Sequence, residues 1–234
     1  MENKDIFGKA FLHYLEKKTG EIEVHSDEME TDVVKCAYFF REWDQMPPLE
    51  QQALSLASGK ILDVGSGSGC HSLELQKMGK TVVSLEISEA ACSVQKQRGV
   101  DIVICQDIFS FDPTEKFDTI LLMMNGIGVC GTLDKLNPLL EKLKSLLNPG
   151  GTIIFDSSDL IYLFMEEDGS VWIDLNGSYY GEVHFQVEFN GEMDSKFPWV
   201  YIDPKKMEET ANLTGLQFDV IQEGEHYDYL AQLQ

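Results

Sequence analysis

Ile61-Leu62-Asp63-Val64-Gly65-Ser66-Gly67-Ser68-Gly69 runs a short apolar strand straight into a glycine-dense turn, and a helix begins near Cys70. Glycines let a backbone turn tightly and approach a ligand without a Cβ in the way. A second apolar run, Thr81-Val-Val-Ser-Leu-Glu86, ends in an acid about twenty residues further on, where a carboxylate can take the two hydroxyls of a ribose. The pairing predicts a nucleoside-containing cofactor.

Two cofactors compete for that loop. The dinucleotide fingerprint G-x-G-x-x-G needs a third glycine for close helix–strand packing, with pyrophosphate on the helix N-terminus. Here the glycines fall at Gly65, Gly67 and Gly69, and Cys70 stands where the fingerprint wants glycine. The G-x-G-x-G spacing behind Asp63 resembles motif I of the class I S-adenosylmethionine-dependent methyltransferases.

The rest of the chain repeats that resemblance in order. Glu86 and Ile87 close the second strand. Asp101-Ile-Val-Ile-Cys-Gln-Asp107-Ile108 is similar to the family's third strand, and Phe117 to Asn125-Gly126 to the fourth, which closes over the cofactor. Leu146-Leu-Asn-Pro-Gly-Gly151 resembles the family's turn before strand five. The resemblance implies S-adenosylmethionine as cofactor. By it Asp63, Gly65, Ser66, Gly67 and Gly69 lie along the cofactor, with Asp63 near its amino-acid end. Glu86 and Ile87 hold the ribose, Asp107 and Ile108 the adenine, and Asn125 and Gly126 the cover. Asn125 is followed by Gly-Ile and not Pro-Pro-aromatic, so the mechanism of the nucleobase and glutamine methyltransferases is not supported.

Strand–helix alternation through this region implies a mostly parallel sheet with helices on both faces. The expectation is an α/β, Rossmann-like sheet of seven strands whose last strand, His226 to Leu233, is inserted antiparallel after a strand at Leu216 to Gln222. Such sheets bind ligands beyond the carboxyl ends of their strands. Asp63, Glu86, Asp107, Asn125 and Asp156 all fall at expected strand ends. Ser88 is expected to cap the helix ending at Gly99, and Asn137 to cap one opening at Pro138.

Residues 1–58 read as an N-terminal helical extension, a lid or an inert packing layer, ahead of a core at 59–234. Phe7, Ala10, Phe11, Tyr14 and Leu15 recur at helical spacing. Glu21 to Thr31 reads as a charged linker, and Val33 to Phe40 as a second helix. Pro47-Pro48 breaks the pattern before a third helix at Leu49 to Ala57. Tyr38, Phe39 and Trp43 are candidates to face the site. An insertion at about 157–203 carries Val183, Phe185, Val187 and Phe189 in alternation, then Asn190-Gly191, which predicts an antiparallel β insertion. It either shapes an acceptor pocket or pairs two copies of the chain into a homodimer.

Composition narrows the function. The 234 residues suit one large domain, with 43% hydrophobic and 25% charged residues. Forty acids against 18 bases give a formal net charge of −22, which repels phosphate backbones and anionic membranes. Nucleic acid and membrane partners are therefore disfavoured, and a small-molecule acceptor is expected. No signal pattern opens the chain, and a cytoplasmic location follows by default. The five cysteines are scattered without a C-x-x-C pair, and with five scattered histidines no metal site is expected.

Methyl transfer is an in-line displacement at a sulfonium carbon, so alignment dominates and a base is needed only where the nucleophile carries a proton. The catalytic residue is thus left unassigned. Tyr179, Tyr180 and Glu182 at the entry to the insertion are candidates, with His184, His226 and Asp156. An NAD(P)-dependent oxidoreductase is the competing enzyme, opposed by Cys70 and the Asn-Pro-Gly-Gly turn. A non-catalytic S-adenosylmethionine-binding protein is the third reading.

Overall fold

The computed structural model describes residues 4–166, 168–173 and 177–234. The chain opens with α1 (Ile6–Lys17), followed by β1 (Glu21–Ser26), β2 (Asp32–Lys35) and a 3-10 turn over Cys36–Phe40. After α2 (Pro48–Leu56), strands and helices alternate: β3 (Lys60–Val64), α3 (Cys70–Lys77), β4 (Thr81–Glu86), α4 (Glu89–Arg98), β5 (Val103–Cys105), β6 (Phe117–Leu122), α5 (Leu136–Leu146) and β7 (Leu147–Ser158). Then come β8 (Glu182–Phe189), β9 (Glu192–Met193), β10 (Phe197–Val200), α6 (Pro204–Thr214), β11 (Phe218–Glu223) and β12 (Asp228–Leu233).

The main sheet has seven strands in the order β11-β12-β7-β6-β3-β4-β5. β5, β4, β3, β6 and β7 run parallel to one another, while β12 runs antiparallel to both β7 and β11. Strand order reverses beside β3, so the tips of β3 and β6 border a crevice. The central strands are buried on both faces: Ile61, Leu62, Ile120, Leu121, Leu122 and Phe155 are fully enclosed. Each such side chain contributes about 1.5–3 kcal/mol by leaving water.

A second sheet departs from the expected helical extension. Residues 21–26 are strand, not linker, and 32–40 form β2 and a 3-10 turn, not a helix. Glu21-Ile22-Glu23-Val24 alternates with period two, and that pattern outweighs its charge: Ile22 is buried while both glutamates face outward or to the rim. β-Branched Val33 and Val34 favour the strand that follows. β1 pairs antiparallel with β2 and with β8, and β10 completes the order β10-β8-β1-β2. The N-terminal segment and the insertion are therefore one accessory sheet. Its inner face, with Ile22, Val187 and Phe189, packs on Ile6, Ala10 and Phe11 of α1, which in turn lies on Ala91 and Val94 of α4.

Local differences are smaller. The helix expected to be capped by Asn137 starts at Leu136, which puts Asn137 inside it with a buried Oδ1 that has no partner. The third strand is only Val103–Cys105, leaving Asp107 in a turn, and His226 precedes the last strand. Asn190-Gly191 turns β8 into β9 with both residues at positive φ, 51° and 77°.

Candidate functional site

The glycine turn is braced from behind by α4. Gly69 sits at φ +85°, and a Cβ there would meet Val100 Cγ2 at 2.9 Å and Gln95 Cγ at 3.0 Å. That contact makes Gly69 the packing glycine. Gln95 is fully buried, and its Nε2 donates to Ser66 Oγ at 2.9 Å and to the Gly67 carbonyl at 2.7 Å. Ser84, in the middle of β4, donates to Ser66 Oγ at 2.5 Å. Ser68 Oγ donates to the Phe39 carbonyl, and Arg98 Nη1 donates to Ser68 O at 2.8 Å. Phe11 of α1 reaches to 3.7 Å from the position of a Cβ on Gly67, so the extension lies against the outside of the loop.

Three backbone amides converge on one carboxylate at the tip of β4. Gly67 N donates to Glu86 Oε2 at 2.8 Å, while Ile87 N and Ser88 N donate to Oε1 at 2.8 and 2.9 Å. Burial raises the Glu86 pKa against the pull of those amides. Ser88 caps α4 through Ala91 N, and its hydroxyl donates to Asp5 Oδ2 at 2.8 Å, joining α1 to the same corner. Asp107 Oδ1 accepts from Phe109 N at 2.8 Å in the turn after β5, and Ile108 is in the core. Ile87 is 66% exposed at the rim.

Beneath the turn lies a buried ionic cluster. Arg41 Nη2 donates to Glu50 Oε1 and Oε2 at 2.5 and 2.7 Å, and His71 Nε2 donates to Glu50 Oε2 at 2.7 Å. All three side chains are 5% exposed or less. Burial opposes the charge on each; His71 and Arg41 nevertheless hold Glu50 below the usual carboxylate range, and Cys70 together with Glu50 lifts His71 well above the usual histidine value. The Arg41 guanidinium stacks on Tyr38 at 3.6 Å from the ring centroid. Asp63 is buried beside it, accepting from Ser72 Oγ at 2.6 Å, with its pKa raised by burial.

Just beyond β6 stand two consecutive left-handed residues, Met124 (φ 64°) and Asn125 (φ 54°). Non-glycine residues hold this conformation only where the surroundings fix it. Asp156 Oδ1, at the end of β7, fixes it by accepting Asn125 N at 3.0 Å, and Ser158 Oγ donates to Asn125 Oδ1 at 3.1 Å. Past Gly126, the chain makes a 3-10 turn against β10: a Cβ on Gly128 would fall 2.1 Å from Trp199 Nε1. Burial pushes the Asp156 carboxyl up to about 7, although its side chain keeps some exposure.

The structure thus places Asp63, Gly65, Ser66, Gly67, Gly69, Glu86, Ile87, Asp107, Ile108, Asn125 and Gly126 around the tips of β3, β4, β5 and β6. It does not gather Tyr179, Tyr180, Glu182 and His184 into one site. Tyr179 OH donates to Asp203 Oδ2 at 2.6 Å and accepts Asp203 N at 2.9 Å, fixing the cap of α6. Tyr180 OH donates to Asp159 Oδ1 at 2.8 Å, and Glu182 Oε1 accepts Leu133 N at 2.6 Å. His184 stands on the outer face of β8 beside Glu28, 3.6 Å away, and His226 lies in an exposed turn. Sequence reading missed Gln95, Arg41, Glu50 and His71. A polar Ser84 inside an apolar strand was a signal for Gln95; nothing in the sequence announced the Arg41–Glu50 pair. Among the described residues no group of three His, Cys, Asp or Glu could hold a metal ion, and no helix is long and apolar enough to cross a membrane.

Comparison with known proteins follows the same geometry. A methyltransferase domain family matches residues 62–155. An S-adenosylmethionine-dependent methyltransferase from Bacteroides fragilis, solved with S-adenosyl-L-homocysteine, is 41% identical over 99% of this chain and 94% of its own, with a TM-score of 0.91. The CcbJ methyltransferase of Streptomyces caelestis shares the fold at 14% identity, covering 84% of this chain and 97% of its own, TM-score 0.61. CalS10, an amino pentose methyltransferase from Micromonospora echinaspora solved with S-adenosylmethionine, does so at 19%, over 79% and 86%, TM-score 0.55. No curated protein sequence matches the chain. With the glycine turn, the ribose-type acid and the seven-strand order all in place, this chain belongs to the S-adenosylmethionine-dependent methyltransferases, with S-adenosylmethionine as its cofactor.

Proposed function

We propose that the chain methylates a small-molecule acceptor by in-line displacement at the sulfonium methyl, with the cofactor lying across the tips of β3 to β6. The observation that carries this is the Glu86 carboxylate, fixed by three amides at the edge of the turn, which leaves Oε2 with an open acceptor site for a ribose hydroxyl. Asp107 and the Ile108 amide would meet the adenine, and Ile87 its rim. Asp63 and the Gly65–Gly69 turn, with Ser66, would line the amino-acid end. Asn125 and Gly126 would cover the methyl. Holding nucleophile, carbon and sulfur in line is worth about 7–11 kcal/mol of the barrier.

A small acceptor fits the acidic charge of −22, and similarly folded enzymes include an amino pentose methyltransferase and a sugar N-methyltransferase. The same charge supports the absence of nucleic-acid partners, and a cytoplasmic setting is part of the same reading. In this reading residues 1–58 cover the cofactor and the accessory sheet walls the acceptor. The β insertion, whose β10 forms one edge of the accessory sheet, is where two copies would pair, which sedimentation would test. The enzymatic test is thermal shift with S-adenosylmethionine, S-adenosylhomocysteine and NADH in parallel. At a hundred times its dissociation constant a ligand adds about 2.7 kcal/mol. Stabilisation by NADH and not by the sulfonium compounds would end the proposal.

A further inference from the structure

Resting on the reading above, we infer that the acceptor is an organic ammonium, and that Asp156 binds it and takes its proton. Asp156 is the carboxylate next to the Asn125–Gly126 cover that still has an oxygen to give. Its Oδ1 accepts Asn125 N, and apart from its own backbone amide no other described residue donates to the carboxylate. The groups near it come from several elements: Glu50 on α2, His71 on α3, Tyr38 on the 3-10 turn and Tyr201 after β10. The two cations of this cluster, Arg41 and His71, are both bound to Glu50. Asp156 has neither. A ligand cation would complete the charge balance that the protein leaves open.

Tyr201, whose hydroxyl makes no hydrogen bond to a described residue, lies near Asp156, as does Tyr38. Aromatic walls with a carboxylate at the floor suit a cation with an apolar or sugar-like body.

The chemistry selects an amine over an alcohol. The ammonium gives a proton to Asp156, which becomes a neutral carboxyl. The nitrogen lone pair then attacks the methyl carbon as the carbon–sulfur bond breaks and its electron pair stays on sulfur. The products are a methylated ammonium and S-adenosylhomocysteine, and Asp156 returns its proton to water as they leave. Burial puts Asp156 at about 7, where a base serves neutral pH. Proton transfer from an ordinary ammonium is then uphill by roughly a thousandfold in equilibrium, within reach of a bound pair. An alcohol would need many more powers of ten.

Asp156→Asn separates this role from a merely structural one, because the amide oxygen can still accept Asn125 N. The probes are a panel of primary and secondary amines, with matched alcohols and carboxylates. Binding is read against the enzyme saturated with S-adenosylhomocysteine, and turnover by S-adenosylhomocysteine release. The expected result is that amines alone bind and react, and that kcat/KM rises with pH through about 7. The variant should keep its S-adenosylhomocysteine affinity within twofold, lose roughly 100-fold or more in kcat and lose that acid limb. Activity within threefold of wild type, preference for alcohols or carboxylates, or no amine bound to the saturated wild-type enzyme would overturn the inference. Failure of S-adenosylhomocysteine itself to bind would instead remove the methyltransferase reading beneath it. Should the variant not fold, the amine selectivity and the acid limb of the wild type decide the matter alone.

Discussion

Replacing Glu50 by Gln removes the one carboxylate that holds two buried cations. Arg41 is 5% exposed and His71 4%, so neither can turn to water without opening the packing of α2 against α3. Breaking a buried pair by deleting one partner costs about 3–5 kcal/mol, because the surviving charge stays desolvated. In a chain of this length 1 kcal/mol moves Tm by about 2–4 °C, so the variant should melt roughly 10 °C lower. The pH dependence carries the sharper signature. His71 has its folded pKa raised above the unfolded value, so its contribution is complete below about 6.5 and is lost as pH rises through the folded pKa. The deficit of Glu50→Gln should therefore be largest near pH 6 and shrink in alkali. Urea unfolding of both proteins from pH 6 to 9 measures it. A deficit under about 1 kcal/mol at pH 6, or one that does not change with pH, would refute the reasoning.

Three further outcomes are expected. Asp156→Asn should stabilise the fold at pH 8: burial lifts the carboxyl to about 7, so the folded state loses stability as pH rises from about 4 to 7, and the amide escapes that loss. The gain is about 2–4 kcal/mol at pH 8 and close to nothing at pH 4, read from urea midpoints. Gly69→Ala should cost about 2–4 kcal/mol, from its left-handed φ plus the clash with Val100 and Gln95, whereas Gly65→Ala, with open space at its Cβ, should cost about 1–2. Glu86→Ala should weaken S-adenosylhomocysteine binding at least about tenfold by calorimetry, since a charge-assisted bond contributes about 1.5–3 kcal/mol; unchanged affinity would move the ribose elsewhere.

What could be read in the chain followed from short-range chemistry. Gly65 to Gly69, Glu86 and the strand runs around them are local patterns with one compact solution, and they yielded the main sheet and the positions of the cofactor candidates. The accessory sheet was not legible, because Ile22 and Val24 find their partners in Val187 and its neighbours, more than 150 positions away, and a charged stretch such as 21–31 looks like linker until that partner is known. The Arg41–Glu50–His71 cluster failed for the same reason: each member is an ordinary surface type, and only tertiary packing makes it buried. Tyr179 and Glu182 had the composition of a pocket, yet their polar atoms are spent on Asp203 and Leu133, a role that no spacing rule encodes.

β1 and β2 precede β8 by nearly 150 residues, so during synthesis this hairpin has no strand neighbour until that intervening stretch has been made. A two-stranded ribbon is marginal in water by itself. The nucleotide-type half of the enzyme can therefore take shape while its head end is still unclaimed, and the final docking draws α1 and the acceptor wall into place in one event. Lengthening or shortening the stretch between β7 and β8 should thus alter how fast activity appears after refolding more than it alters the stability reached.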